Sequence, residues 1–145
     1  DGMVFLHRLL LIVAGYVLAV ITATLGMTGA DIVENFSARP LDWRGISAIL
    51  LTYGTLIATY ALPPVAVAIV TAEWCAIRSL AAHLLAGTIA GVISTGTFGR
   101  FWPAVLNPLG IPPQRLSSLL PIVFAGIAAA FVYWLVAGRK AGNWR

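Results

Sequence analysis

Five ionisable side chains stand at the edges of long apolar runs, where their types and positions could do chemistry: His7, Arg8, Glu73, Arg78 and His83. Two imidazoles at similar depth in a membrane are the ligand set of a bis-histidine haem. They could equally line a quinone or proton site, because ionisable groups inside spans are costly to keep and tend to be functional. His7 and His83 are therefore the cofactor-binding candidates. The plainer reading carries more weight. His7 flanks its apolar run beside a basic neighbour, and His83 lies about one turn past Ser79, within reach of the interface. Arg8 and Arg78 are long enough to snorkel to water, and Glu73 pairs with Arg78 across the intervening turn. On this reading no cofactor is bound beyond lipid contacts.

Glu73 also follows Pro63-Pro64 at the end of an apolar segment. A carboxylate near a broken helix is a pattern of ion and proton pathways in transporters, which makes Glu73 the pathway candidate. Trp74 beside it is an interface anchor and argues for a position near headgroups. Asp31 and Glu34 share a helical face, but a calcium site needs six or more oxygen ligands, so they read as a solvated turn and no metal is expected. Cys75, the one cysteine, has no partner for an intramolecular disulfide and no neighbouring base that would make it a nucleophile. No phosphate-binding loop, dinucleotide fingerprint or hydrolase motif is present, so no residue is assigned a catalytic role and the chain is expected not to be an enzyme.

The elements that must position these residues follow from composition. The chain has 145 residues, 60% hydrophobic and 10% charged, with mean hydropathy +0.94. Soluble domains carry about 25% charged residues, so there is too little charge to coat a water-facing surface. Four spans of about 20 residues would use roughly 80. The uncharged runs place them at about 9–27, 46–77, 79–96 and 119–137. Gly26 and Gly29 are stop signals for the first. The second carries Pro63-Pro64, which kinks it, with Thr55 and Thr59 available to satisfy freed carbonyls. The third ends at the polar run Ser94–Thr97. Residues 97–117, dense in proline and glycine, form a loop. The fold expected is an all-α integral membrane protein of four transmembrane helices in a single domain, with its longer loops on one face. His7 and Arg8 before the first apolar run look like the start of a signal peptide. No A-x-A site follows, so the segment is expected to be retained.

Small residues one turn apart let helix backbones approach closely. Gly87 and Gly91 have that spacing in the third span, and Gly126 and Ala130 in the fourth. They serve either packing within the bundle or docking on a partner. Phe98, Phe101 and Trp102 make the following loop adhesive, a second partner candidate.

The nine cations are scattered singly at run edges, with no basic stripe that would take nucleic acid. Their slight excess on one side puts both termini in the cytoplasm. The Arg-, Ala- and Gly-rich composition suggests a bacterial inner membrane. The function expected is that of a non-catalytic membrane subunit packing within a larger complex or as a homo-oligomer. A small oligomeric transporter or channel component is the alternative, and a quinone- or haem-binding redox anchor the next.

Overall fold

The structure, a computed structural model, describes residues 2–35, 42–106 and 119–142. Those residues are all-helical. In chain order they form α1 (Gly2–Asn35), α2 (Trp43–Tyr60), α3 (Leu62–Trp74), α4 (Leu80–Leu106), α5 (Leu119–Val136) and a single 3-10 turn, Gly138–Lys140. α1 packs along α5, α4 packs on the other flank of α5, and α2 lies against α1. α3 leans on α4, while α2 and α4 barely meet. A small core of Ala23, Met27, Tyr53, Leu56 and Ala125 joins α1, α2 and α5.

Polar side chains are found inside the bundle and large apolar ones on its outside. The buried residues include Arg8, Thr24, Thr28, Glu73, His83 and Ser94, whereas Leu10, Val13, Val67, Leu85, Ile89 and Phe124 face outward. Threonine hydroxyls at 22, 24, 52, 59, 71 and 88 each donate to the carbonyl four residues back on their own helix. That bond satisfies the hydroxyl without water. By length and composition α1 alone could cross a membrane, and α2 with α3 could do so as one broken span. α5, at 18 residues, rises about 27 Å, close to the roughly 30 Å of a hydrocarbon core.

Four boundaries differ from those expected. α1 runs through Gly26 and Gly29. An interior glycine costs only about 1 kcal/mol, too little to end a helix that packs along α5. The expected second span is two helices bent by 52°. The prolines open α3 rather than interrupt a helix, in positions where their missing N–H has no partner to lose. At the break the Ala61 N–H donates to Ile57 O at 3.0 Å, and the Tyr16 hydroxyl of α1 donates to Ala58 O at 2.8 Å. The Thr59 hydroxyl turns back to Thr55 O within its own helix, while Ala58 O is satisfied from the neighbouring α1. α4 continues through residues 97–106, where a loop was expected. Phe98, Phe101 and Trp102 therefore stand on helix, and their side chains lie outside the described residues, as does the remainder of the expected loop. α3 ends at Trp74, ahead of the limit at 77.

The end of α3 has a definite chemistry. Ile77 N–H donates to Ala72 O at 2.8 Å, and Ala76 N–H reaches Glu73 O at 3.4 Å. Ala76 has φ +51°. This is the Schellman stop with alanine where glycine is usual, at a cost of about 1–2 kcal/mol for the left-handed conformation. It turns the chain from α3 into α4 in five residues, 75–79.

A buried ion pair and an apolar groove

The first turns of α1, the end of α3, the start of α4 and the end of α5 meet at one end of the bundle. Arg8 of α1 and Glu73 of α3 form an ion pair there, both deeply buried at 5% and 8% exposure. The guanidinium meets the carboxylate in two places, with Nε donating to Oε2 at 3.2 Å and one Nη to Oε1. The same Nη also donates to Ala137 O at 2.8 Å. Glu73 Oε2 accepts the Gly142 N–H at 3.0 Å. Two buried charges are retained in a low-dielectric interior only when paired and hydrogen-bonded in this way.

The chain after α5 is held by the same cluster. Arg78 Nε donates to Ala141 O at 3.0 Å, and the Trp134 indole N–H donates to Arg78 O at 2.8 Å. Gly142 has φ +75°, and a Cβ there would lie 2.6 Å from Ala76 Cβ. Only glycine meets both conditions. The two termini of the described chain thus close on the α3–α4 turn.

The expected pairing of Glu73 with Arg78 is corrected. Glu73 is committed to Arg8 and Gly142, and Arg8 is buried in that pair rather than snorkelling outward. The partners are 65 residues apart in sequence, which local spacing does not reveal. Ala137, Gly142 and Trp134 were not singled out either, because backbone groups and a C-terminal turn carry no chemical signature. The i, i+5 spacing of Glu73 and Arg78 is more conspicuous in the sequence and pointed to the wrong partner.

The two histidines occupy different environments. His7 is exposed and His83 is buried. The His83 ring lies 6.1 Å from that of Tyr133, nearly parallel. Its Nδ1 is 2.9 Å from Ser79 O, a carbonyl that only accepts, so Nδ1 carries a proton. Nε2 is fully buried without a hydrogen-bond partner. It faces the backbone of Gly138, where a Cβ would come within 2.8 Å. His83 thus packs as a flat ring in a slot that Gly138 keeps open, and His7 is not part of that slot.

Gly87, Gly126 and Ala130 meet one another inside the chain. A Cβ on Gly87 would lie 2.6 Å from Gly126 O and against Ala130 Cβ, and one on Gly126 would lie 2.7 Å from Gly87 O. α4 and α5 cross backbone to backbone at this point. Gly91 is looser, with a Cβ position 3.4 Å from Ile122 O. Cys75 is exposed beside the ion pair, and among the described residues no cluster of metal-ligating side chains forms.

Between the bent α2–α3 pair on one side and α1, α4 and α5 on the other lies a groove of about 650 Å³. It is lined mostly by small and apolar residues, among them Ala68, Ala86, Ala90 and Ala129. His83 and Tyr133 line it near the ion-pair end. Val67 on α3 and Ile89 on α4 also line it and are more than half exposed, so the groove opens sideways between those two helices. It exists because the 52° bend carries α3 away from α1 while α2 and α4 hardly touch. The chain matches no protein-family model, no curated protein and no solved structure.

Proposed function

We propose that this chain is an integral protein of a bacterial cytoplasmic membrane that crosses the bilayer four times and acts as a non-catalytic subunit of a larger membrane assembly. α1, the α2–α3 pair, α4 and α5 are the four crossings. The observation that carries this reading is the apolar exterior: large aliphatic and aromatic side chains turn outward from every long helix, while Arg8, Glu73 and His83 are buried. In water such a surface is an extended apolar patch; in lipid it is the expected exterior.

The accessory role is supported by how the polar groups at one end of the bundle are used. Arg8, Glu73, Arg78 and Trp134 bind helix ends and the C-terminal turn to one another, which is structural work. The transporter reading required Glu73 to face a wet path, and its carboxylate is instead engaged by a guanidinium and an amide. A haem held by His7 and His83 required two imidazoles facing one gap, and one of them is exposed while the other is enclosed.

The test is native electrophoresis of membranes dissolved in mild detergent, with the chain detected by a tag. Migration in a discrete species several times its 15.3 kDa mass, resistant to detergent washing, is the expected result. Migration as a lone chain under every mild condition contradicts the subunit role.

A further inference from the structure

We infer that the groove between α3 and α4 is a binding site for one acyl chain of an anionic phospholipid, with its headgroup at the Arg8–Glu73 end. This rests on the proposed membrane placement.

Length selects the occupant. The lining on α1 runs from Tyr16 to Met27 and on α5 from Ile122 to Tyr133. At 1.5 Å per residue each stretch is about 16 Å. α2 is described to Trp43, yet its lining stops at Tyr53. The groove therefore covers about half of a hydrocarbon core of roughly 30 Å, the depth of one leaflet. A partner's transmembrane helix would need the full thickness. The volume is that of a small-molecule or cofactor pocket, about 300–1,000 Å³. The side opening between Val67 and Ile89 faces the direction from which a lipid chain would enter.

Charge selects the headgroup. Beyond the end lined by His83 and Tyr133 the exposed cations are Arg78, Arg139 and Lys140, while Arg8 and the carboxylate Glu73 neutralise one another, counted among the described residues. Asp31 and Asp42 lie at the other end of the bundle. Arg139 is itself held over the Trp134 ring, 5.6 Å from its centre. A cationic rim above an apolar slot on the cytoplasmic side fits a phosphate headgroup with its chain below.

Native mass spectrometry of the detergent-purified chain, titrated with phosphatidylglycerol or phosphatidylcholine, tests the site. The expected result is a one-to-one phosphatidylglycerol adduct, favoured at least fivefold over phosphatidylcholine. Ala86→Phe, which fills the slot, should weaken that adduct tenfold or more, and Arg139→Gln with Lys140→Gln should remove the headgroup preference. If Ala86→Phe does not fold, phosphatidylglycerol carrying a photoreactive diazirine on its chain replaces it. Crosslinks should then map to Ala68, Ala86 and Ala90 rather than to outward Leu85 and Leu10. Equal binding of both lipids, no adduct, or crosslinks confined to the outer faces would overturn the proposal. Carbonate washing of the source membranes separates the two levels. Release of the chain defeats the membrane placement itself, whereas retention without an adduct defeats only the lipid site.

Discussion

Removing one member of the Arg8–Glu73 pair strands the other charge in the interior of the bundle, together with Ala137 O or the Gly142 N–H that it satisfied. Losing one partner of a buried pair costs about 3–5 kcal/mol, while replacing both by apolar residues of similar volume is close to neutral. Arg8→Met and Glu73→Met should each destabilise the protein by that amount in detergent unfolding followed by circular dichroism, and the double variant should recover most of the loss. Equal stability of all four proteins would remove the pair from the account. The individual charges were visible in the sequence as the unusual residues of the chain, because so few others interrupt its apolar runs. Their partnership was not, since a contact over 65 residues depends on how α1 and α3 are brought together. Ala76 illustrates a second limit. The sequence signals a helix stop through glycine, and here alanine takes the left-handed position, so the turn was readable only from the geometry.

Among the elements, α4 and α5 are the pair most dependent on residue size. Their glycines could have served an outside partner, but the face that Gly87 presents is filled by Gly126 and Ala130 of the same chain. The two small-residue positions on α4 are not equivalent. Gly87→Ala should cost roughly 1–3 kcal/mol, the range for forcing a methyl into a full contact, whereas Gly91→Ala, whose Cβ meets nothing nearer than 3.4 Å, should change stability little. Equal costs at the two sites, read by the same unfolding assay, would mean that the helices do not cross at Gly87. The apolar periods and the prolines made the existence and order of the long helices legible, and α5 begins and ends within a residue of the expected span. The Pro63-Pro64 pair was legible as a break but not as a helix start, because proline gives the same sign in both roles. The continuation of α4 past Thr97 was hidden by polar residues and a proline that read as a stop in isolation.

At the scale of the whole molecule, the antiparallel order of helices brings the N-terminal turns and the C-terminal turn to one end, sealed by the ion pair and the α3–α4 turn. Four of the cations gather there. Under the proposed membrane placement, the positive-inside rule would put that end in the cytoplasm. The low overall charge then has a place in space: the outer flanks are apolar, and the interior ion pair closes one end. The lone cysteine offers the most direct test of this placement, since Cys75 is exposed at the sealed end and Trp43 is exposed at the opposite one. A membrane-impermeant maleimide should label Cys75 in inverted membrane vesicles and not in right-side-out vesicles. With Cys75→Ser and Trp43→Cys combined, labelling should reverse. Labelling of both positions from the same side, or recovery of the labelled chain in the soluble fraction, would contradict the account.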